Sequence, residues 1–267
     1  MKKIISTLLI SLCLVELHAA ESMPLENNQS AFPGAASDPF DDFAADAFAD
    51  EYGDYPTEKN VYDPLEGYNR WMTSVNDSLF DYILEPLYEG YDFIFPKPVR
   101  VSINNIFNNL YYPVSLVNNL LQLKFDHAMS ETGRFIVNTT FGFGGMFDTA
   151  YEGLGIEPHV EDFGQTLGHY GVGGGAPIVL PFFGPSNLRD FSGDLVDFYV
   201  NPIYYVPQRK YNIPDNTYEG WAIVGYKQFN RLSLYEKDYL QLRKEAIDFY
   251  PLMRDAYEQN RNKLISE

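Results

Sequence analysis

Apolar residues recur every three or four positions in several long segments of the chain, which is the spacing of one face of an α-helix. The first segment begins at Asp63-Pro64, where the aspartate can cap a helix and the proline suits its first turn. Pro86 interrupts the pattern. The apolar stripe consists of Leu65, Tyr68, Trp71, Met72, Val75, Leu79 and Ile83. We therefore expect an amphipathic helix between Asp63 and Pro86.

Three more helices are predicted before residue 138. The second covers Val99 to Leu110, and its polar face is formed by Asn104, Asn105, Asn108 and Asn109. Pro113 suits the first turn of a third helix. We expect its apolar residues to point inward: Val114, Val117, Leu120 and Leu121. The segment from Phe125 to Val137 supports a fourth helix.

Two glycine-rich segments interrupt the helical pattern. The first, Thr139–Phe147, is both apolar and flexible, and its glycines disfavour a helix, so we expect a loop or hairpin. The second, Gly168–Gly175, leads into a short extended segment over Ile178–Gly184. Ser186 then suits the cap of a new helix.

The last third of the chain is rich in tyrosine after Pro202 and then helical from about Tyr218 to Lys263, with a break or kink at Pro251. The whole pattern predicts a mostly α fold with glycine-rich loops and one short extended segment.

The first 62 residues differ from the rest in composition. Residues 1–20 resemble an export signal, with a positive start, an apolar run over Ile4–Val15, and small residues at Ala19 and Ala20. Cys13 lies within this leader, and it is either removed with it or lipidated. The bulky Leu12 before it disfavours lipidation, so we expect removal. Residues 21–62 form an acidic tether, which serves either for reach alone or as a partner-binding arm.

The charge of the chain restricts its partners. Nineteen Lys and Arg residues against 37 Asp and Glu residues give a formal net charge of -18. A surface that follows the phosphates of nucleic acid is therefore not expected. The same sign repels anionic lipid, so any attraction to a membrane must come from apolar contact. Rim contacts are expected from exposed aromatic residues: Phe93, Phe95, Tyr111, Tyr112, Phe182 and Phe183.

Motifs for catalysis and metal binding are weak. His159 and His169 lack zinc-ligand spacing, no cysteine accompanies them, and His169 is expected to be a packed core residue. The Gly-x-Ser-x-Gly motif is absent, and Gly142–Gly145 lacks the lysine of a phosphate loop. We therefore expect neither an enzyme nor a cofactor.

One helical segment carries a row of carboxylates. Asp190, Asp194 and Asp197 share a helix face, with Arg189 beside them. This row is either a solvated face with local ion pairs or the lining of a polar channel.

Three segments in this order resemble the MlaA family, also called VacJ. They are Asp63–Arg70 (DPLEGYNR), Phe135–Asp148 (FIVNTTFGFGGMFD) and Phe163–Gly173 (FGQTLGHYGVG), and the last continues through Leu180–Asp190 (LPFFGPSNLRD). The resemblance implies a ring-like helical domain over residues 63–263, embedded in the inner leaflet of the outer membrane. It also implies a channel for mislocalised phospholipid, a soluble periplasmic lipid carrier as acceptor, and a trimeric porin as partner.

Two other functions remain open: a structural, porin-associated envelope protein and a secreted lipid-cleaving enzyme. If the protein transports phospholipid, the loop around Gly142–Gly145 is either a gate of the lipid path or a rigid turn. In a rigid turn the glycines are needed only because they adopt positive φ angles. The proposed gating residues are Phe141, Gly142, Phe143, Gly144, Gly145, Met146 and Phe147.

Overall fold

A computed structural model describes residues 62–201 and 217–267. The expected leader, Cys13 and nearly all of the acidic tether lie outside these residues. The described part is mostly helical, as predicted, and contains one β-hairpin. The helices are α1 (Glu66–Leu79), α2 (Glu85–Ile94), α3 (Lys97–Leu121), α4 (Phe125–Thr140), α5 (Thr149–Leu154), α6 (Phe163–His169), α7 (Leu188–Val200), α8 (Thr217–Leu234), α9 (Glu236–Glu245) and α10 (Phe249–Ser266).

The first predicted helix is present, and its interruption takes the form of a π-helical turn. The turn covers Phe80–Leu84 and joins α1 directly to α2. Pro86 follows in the first turn of α2. Because proline lacks an N–H group and crowds the carbonyl four residues earlier, widening the helix just before it relieves the clash.

The predicted second and third helices are one helix. α3 runs for 25 residues with Pro113 inside it, so the prediction that Pro113 opens a new helix is wrong. A proline within a helix removes one hydrogen bond and costs about 3 kcal/mol. The packing of α3 against α4, α6, α7 and α8 offsets this cost.

The buried face of α3 is polar. Val114 is fully buried, but the expected inward positions Val117, Leu120 and Leu121 are all exposed, so that part of the prediction is wrong. Asn118 and Asn119 are buried in their place. Each donates a hydrogen bond to a backbone carbonyl one turn earlier in α3.

The arrangement seen in α3, with polar side chains buried and apolar side chains exposed, holds across the described residues. Twenty-five polar or charged side chains are buried in them, against 11 apolar ones. Large apolar side chains are exposed instead, including Trp71 at 60% and Phe93 at 89%. The main apolar cluster is small and is centred on Phe80, Leu84 and Tyr88. Packing of this kind does not match a fold stabilised in water by an apolar core.

The extended segment forms a two-stranded antiparallel hairpin. β1 (Pro177–Leu180) pairs with β2 (Gly184–Asn187). The side chain of Asn69 in α1 bonds the carbonyl of Pro177 and the amide of Val179, which fixes the hairpin to the first helix. The cap of α7 is Asn187, which accepts from the amide of Asp190. Ser186 lies in β2, so the predicted cap was one residue early.

The C-terminal helices also differ from their predicted boundaries. Pro251 lies in the first turn of α10, where a missing N–H group costs nothing. The break comes before it, between α9 and α10. Within the described ranges, we find no helix that combines the length and the apolar character needed to cross a bilayer.

Candidate functional site

A cavity of about 780 Å³ lies among α3, α4, α7, α8 and α10. Its aromatic lining includes Phe183, Phe191, Phe198 and Trp221. Charged and amide groups line it as well, among them Asn108, Asp194, Lys227 and Arg231. A cavity of this size, with both apolar and polar walls, suits an amphipathic ligand.

A buried arginine organises one wall of the cavity. Arg261 of α10 donates to both carboxylate oxygens of Asp162 at 2.6 and 2.8 Å and to those of Asp190 at 2.9 and 3.0 Å. Arg189 also donates to Asp190, at 2.8 Å. Burial opposes the charge of Asp190, but the hydrogen bonds and charges of Arg189 and Arg261 outweigh it and hold its pKa below the ordinary value.

The helices carrying these carboxylates cross at two glycines. Gly164 of α6 faces Gly193 of α7, and a Cβ atom on Gly193 would overlap the backbone nitrogen of Gly164. This approach brings the N-terminus of α6 onto α7. The backbone amide of Phe163 donates to Asp197 at 2.8 Å as a result.

The predicted row Arg189, Asp190, Asp194 and Asp197 is divided between two roles. Asp194 and Asp197 line the cavity, whereas Arg189 and Asp190 are buried in an ion pair behind it. Asp197 also accepts from Asn118 at 3.0 Å. Burial raises the pKa of Asp197 to about 6, and the nearby charge of Asp162 adds to the effect, although the amide of Phe163 opposes it.

Of the three carboxylates in this row, Asp194 accepts no hydrogen bond from any group in the described ranges. Its side chain lines the cavity and is exposed there. Desolvation by the surrounding cavity wall, followed by the charge of Asp162, raises its pKa to about 7, while Arg261 opposes the shift. Asp194 therefore changes charge near neutral pH.

The loop predicted as a gate follows α4 and is built of consecutive turns. Phe143, Gly144 and Gly145 have φ angles of 52°, 77° and 92°. The amides of Gly144 and Gly145 donate back to α4, and a Cβ atom on Gly142 would overlap the carbonyl oxygen of Phe147. These observations favour the rigid-turn alternative for part of the loop. Phe143 is 78% exposed, so the tip carries an apolar side chain on its outside.

Both ends of this loop are anchored at the cavity wall. Asn138 and Asp148 line the cavity and are joined by a hydrogen bond of 2.9 Å. Arg134 donates to Asp148 at 2.6 Å. This buried pair, rather than the loop residues 141–147, forms this part of the cavity wall.

The sequence profile of the family described as MlaA lipoprotein matches residues 61–264. This chain belongs to the MlaA lipoprotein family. The Escherichia coli intermembrane phospholipid transport system lipoprotein MlaA is 36% identical over 204 residues, covering 74% of this chain and 76% of that protein. The Haemophilus influenzae protein of the same name is 35% identical over 210 residues, covering 76% and 78%.

Two further proteins are similar to this chain. An uncharacterized protein of Rickettsia prowazekii is 36% identical over 204 residues, covering 75% of this chain and 77% of that protein. A solved structure, described as the structural basis for maintenance of bacterial outer membrane lipid asymmetry, has a TM-score of 0.60 and 34% identity. It covers 77% of this chain and 100% of the solved one.

Of the MlaA-like segments, the second and the third line the cavity. Asn69 of the first segment holds the hairpin of the third, and Arg134, just before the second, binds Asp148 at its end. Sequence reasoning did not identify Arg134 or Arg261 as site residues. An arginine within an apolar helical segment was an available signal for Arg134, but Arg261 is 99 residues from Asp162 and 71 from Asp190, so no local pattern indicates it.

In the described ranges, the histidines His127, His159 and His169 of this MlaA family member are not among the residues that line the cavity. His159 stacks on His127 with ring centroids 3.9 Å apart, and burial together with His127 lowers its pKa. His169 is exposed at the end of α6, so the prediction that it is a core residue is wrong. Its exposure follows from its place in the last turn, beside the exposed Tyr170. Within the described ranges, no group of three potential metal ligands is present.

Proposed function

We propose that this protein transports phospholipid between the membranes of the cell envelope and so maintains the lipid asymmetry of the outer membrane. Its relatives in Escherichia coli and Haemophilus influenzae carry the name of such a transport system. The observation that carries the proposal is the inverted polarity of the fold, with apolar side chains outside and polar side chains around a cavity of about 780 Å³.

The outer surface suits the inner leaflet of the outer membrane. Exposed apolar residues occur in every long helix from α1 to α8, whereas water-soluble proteins rarely expose apolar area on this scale. Burying such area in lipid contributes about 25 cal/mol per Å². Of the six expected rim residues, Phe93 is exposed away from the cavity, and Phe95 and Phe182 are half-buried. Phe183 is exposed but lines the cavity, as do Tyr111 and Tyr112.

The cavity supplies a path for the headgroup. A charged headgroup that enters hydrocarbon alone loses its hydration, and polar lining groups replace part of that loss. The acyl chains then contact the aromatic part of the lining. This process breaks no covalent bond, so the proposal includes no catalytic residue and no cofactor.

We also propose an arrangement in the envelope, which the membership of the family supports. We place the domain of residues 63–263 on the periplasmic side of the outer membrane, after a leader of residues 1–20 and a tether of residues 21–62. It takes phospholipid from the outer leaflet, passes it to a soluble periplasmic carrier and associates with a trimeric porin. We further propose that the exposed tip of the loop Phe141–Phe147 gates the cavity, while Asn138 and Asp148 hold the base of the loop in place.

A bulky side chain in the cavity tests the transport function. Asn108 lines the cavity on α3, and Asn108→Trp fills part of it, while Ser78→Trp adds the same ring at an exposed position of α1. In cells that lack the native gene, N108W should leave phospholipid at the cell surface, and S78W should restore asymmetry. Normal asymmetry with fully folded N108W would contradict the proposal.

The same assay separates the two alternative functions. Labelled phospholipid that yields free fatty acid or lysophospholipid would indicate a lipid-cleaving enzyme. Porin association without any effect of gene deletion on surface phospholipid would indicate a structural envelope protein.

A further inference from the structure

The face of α8 that lines the cavity changes from apolar to polar along the helix. It begins with Trp221 and Val224 and continues with Lys227, Gln228 and Arg231. Their spacing of three and four residues places them on one side of the helix. Since an α-helix rises about 1.5 Å per residue, Trp221 and Arg231 lie about 15 Å apart along its axis. One end of this face therefore suits hydrocarbon, and the other suits polar groups.

α7 adds an apolar row to the same part of the cavity. Phe191, Leu195 and Phe198 recur every three or four residues and line the cavity beside the carboxylates of this helix. The ring of Phe198 stacks on that of Trp221, with centroids 5.7 Å apart and planes at 21°. This contact joins the row on α7 to the apolar end of α8. We call the joined surface the apolar wall, and it consists of Phe191, Leu195, Phe198, Trp221 and Val224.

The polar end of α8 meets a different part of the lining. The ammonium group of Lys227 lies 5.1 Å from the centroid of the Tyr111 ring, and the hydroxyl of Tyr111 donates to Asp197 at 3.4 Å. An acyl chain placed here would remove water from charged groups, which costs free energy even when those groups are paired within the protein. The same chain against Trp221 and Val224 would remove only apolar surface from water, which is favourable.

We propose that the apolar wall is the acyl-chain site of the cavity, so that a phospholipid binds there in one orientation. Its hydrocarbon lies against the end of α8 that carries Trp221, and its headgroup points toward the end that carries Arg231. Leu195 and Trp221 are exposed as well as lining the cavity, which leaves both side chains accessible to a ligand. This inference rests on the proposed function, because a phospholipid must enter the cavity, and it adds the direction in which the lipid points.

Tryptophan fluorescence can measure this orientation, because the chain has only two tryptophans, Trp71 and Trp221. Full-length Trp71→Phe, purified in detergent, keeps Trp221 as its single reporter. It is titrated with phosphatidylcholine that carries a nitroxide quencher either on the headgroup or near the middle of one acyl chain. The acyl-chain nitroxide should cause the larger loss of Trp221 fluorescence. Excess unlabelled phosphatidylcholine should restore the fluorescence, because both lipids compete for one site.

The matched reporter is Trp221→Phe, which keeps an aromatic ring in the apolar wall and leaves Trp71 as the single tryptophan. Trp71 is exposed on α1 and does not line the cavity. It meets labelled lipid only through the surrounding micelle. Its quenching should therefore rise with the amount of labelled lipid without saturating.

Two further substitutions, both made in the W71F protein, assign the site to one face of α8. Val224→Asp places a carboxylate in the apolar wall, and its desolvation should weaken the saturable quenching by the acyl-chain label about tenfold or more. Ala222→Asp adds the same group at an exposed position of α8 that does not line the cavity, and it should bind as W71F does.

The outcomes separate this inference from the proposed function. Folded W71F protein that shows no saturable quenching and retains no lipid by mass spectrometry would contradict the transport function itself. Three results would overturn the acyl-chain site and leave transport standing: bound lipid without saturable quenching, quenching by the headgroup label that is equal or stronger, and quenching that V224D leaves unchanged. Circular dichroism of each variant verifies that it is folded.

Discussion

At the scale of single residues, the hydrogen-bond partners of a carboxylate decide its properties more than its position on the helix does. Asp190 and Asp194 are four residues apart on α7, yet the pKa of Asp190 is lowered and that of Asp194 is raised to about 7. The difference comes from Arg189 and Arg261, which donate to Asp190 and not to Asp194. The two residues should therefore respond to substitution in opposite ways.

Asp194→Asn should stabilise the protein at neutral and alkaline pH. The ordinary pKa of the group is 3.8, and the folded value is about 7, so the folded state binds more protons between these limits. Wild-type stability therefore falls as pH rises from about 4 to 7 and then levels off. The melting temperature of D194N should exceed that of wild type by a few degrees at pH 8, on the order expected of such changes. At pH 4.5 the gap should be much smaller, and an equal gap at both pH values would refute the shift.

Gly193→Ala should destabilise the fold. The added methyl group would overlap the backbone of Gly164 where α6 crosses α7, and overpacking of this kind costs about 1–3 kcal/mol. Gly90→Ala is the matched control, because Gly90 lies in α2 with no atom within 4 Å of the new methyl group. That control should gain up to about 1 kcal/mol from helix propensity. Denaturant unfolding in detergent measures both, and equal effects would show that α6 and α7 are not in close contact.

At the scale of elements, the loop between α4 and α5 combines a fixed base with an exposed tip. Asn138 and Asp148 anchor its ends in a buried network, while Phe141 and Phe143 are exposed. Gly144 and Gly145 of this loop differ in the space that surrounds them. A methyl group on Gly145 would lie 2.6 Å from Cβ of Asn109, whereas one on Gly144 would meet no atom within 4 Å.

Replacing Gly144 and Gly145 separately by alanine should distinguish a gate from a rigid turn. Gly144→Ala meets no atom within 4 Å, but its φ of 77° strains an alanine, so a gate predicts a change in surface phospholipid larger than any loss of folded protein. Gly145→Ala adds a clash and should reduce the folded amount. If loss of asymmetry follows the amount of folded protein in both variants, the loop is a rigid turn.

The elements also show where prediction from sequence succeeds. Apolar spacing of three and four residues identified α1, α4 and the region of α3, since this spacing follows from helix geometry whatever surrounds the helix. The same spacing does not tell which solvent the apolar face meets. Leu120 was therefore predicted to be inward, although it is exposed, and the buried residue beside it is Asn119.

Other errors have local or distant causes. Ser186 and Asn187 are both good caps, and the pairing of Pro177 with Asn187 decides between them, since it extends β2 through Asn187. Arg261 binds partners 71 and 99 residues away, and contacts at such separations leave no periodic signal in the sequence. The sequence therefore allowed the carboxylates of α7 to be predicted as site residues. It did not allow the same for Arg261, which joins Asp162 at the start of α6 to Asp190 of α7.

At the scale of the whole molecule, apolar contact must attach the protein to a membrane that its net charge of -18 disfavours. Concentrated salt without detergent should therefore leave it in the membrane fraction, because salt screens charges and strengthens apolar association. Release by salt alone would contradict insertion. Leu120→Asp on the outer face of α3 should weaken attachment, whereas Ser78→Asp should have little effect on it.

The inverted polarity of the fold affects how its free energy of unfolding depends on temperature. A soluble domain gains a heat capacity of about 12–15 cal/mol/K per residue on unfolding, because apolar side chains move from the interior into water. Here many such side chains already face outward, and in micelles they contact detergent both before and after the chain opens. Calorimetry in micelles should therefore yield a heat capacity increment well below the soluble value. The stability curve of this protein should be correspondingly flat, with little loss on cooling.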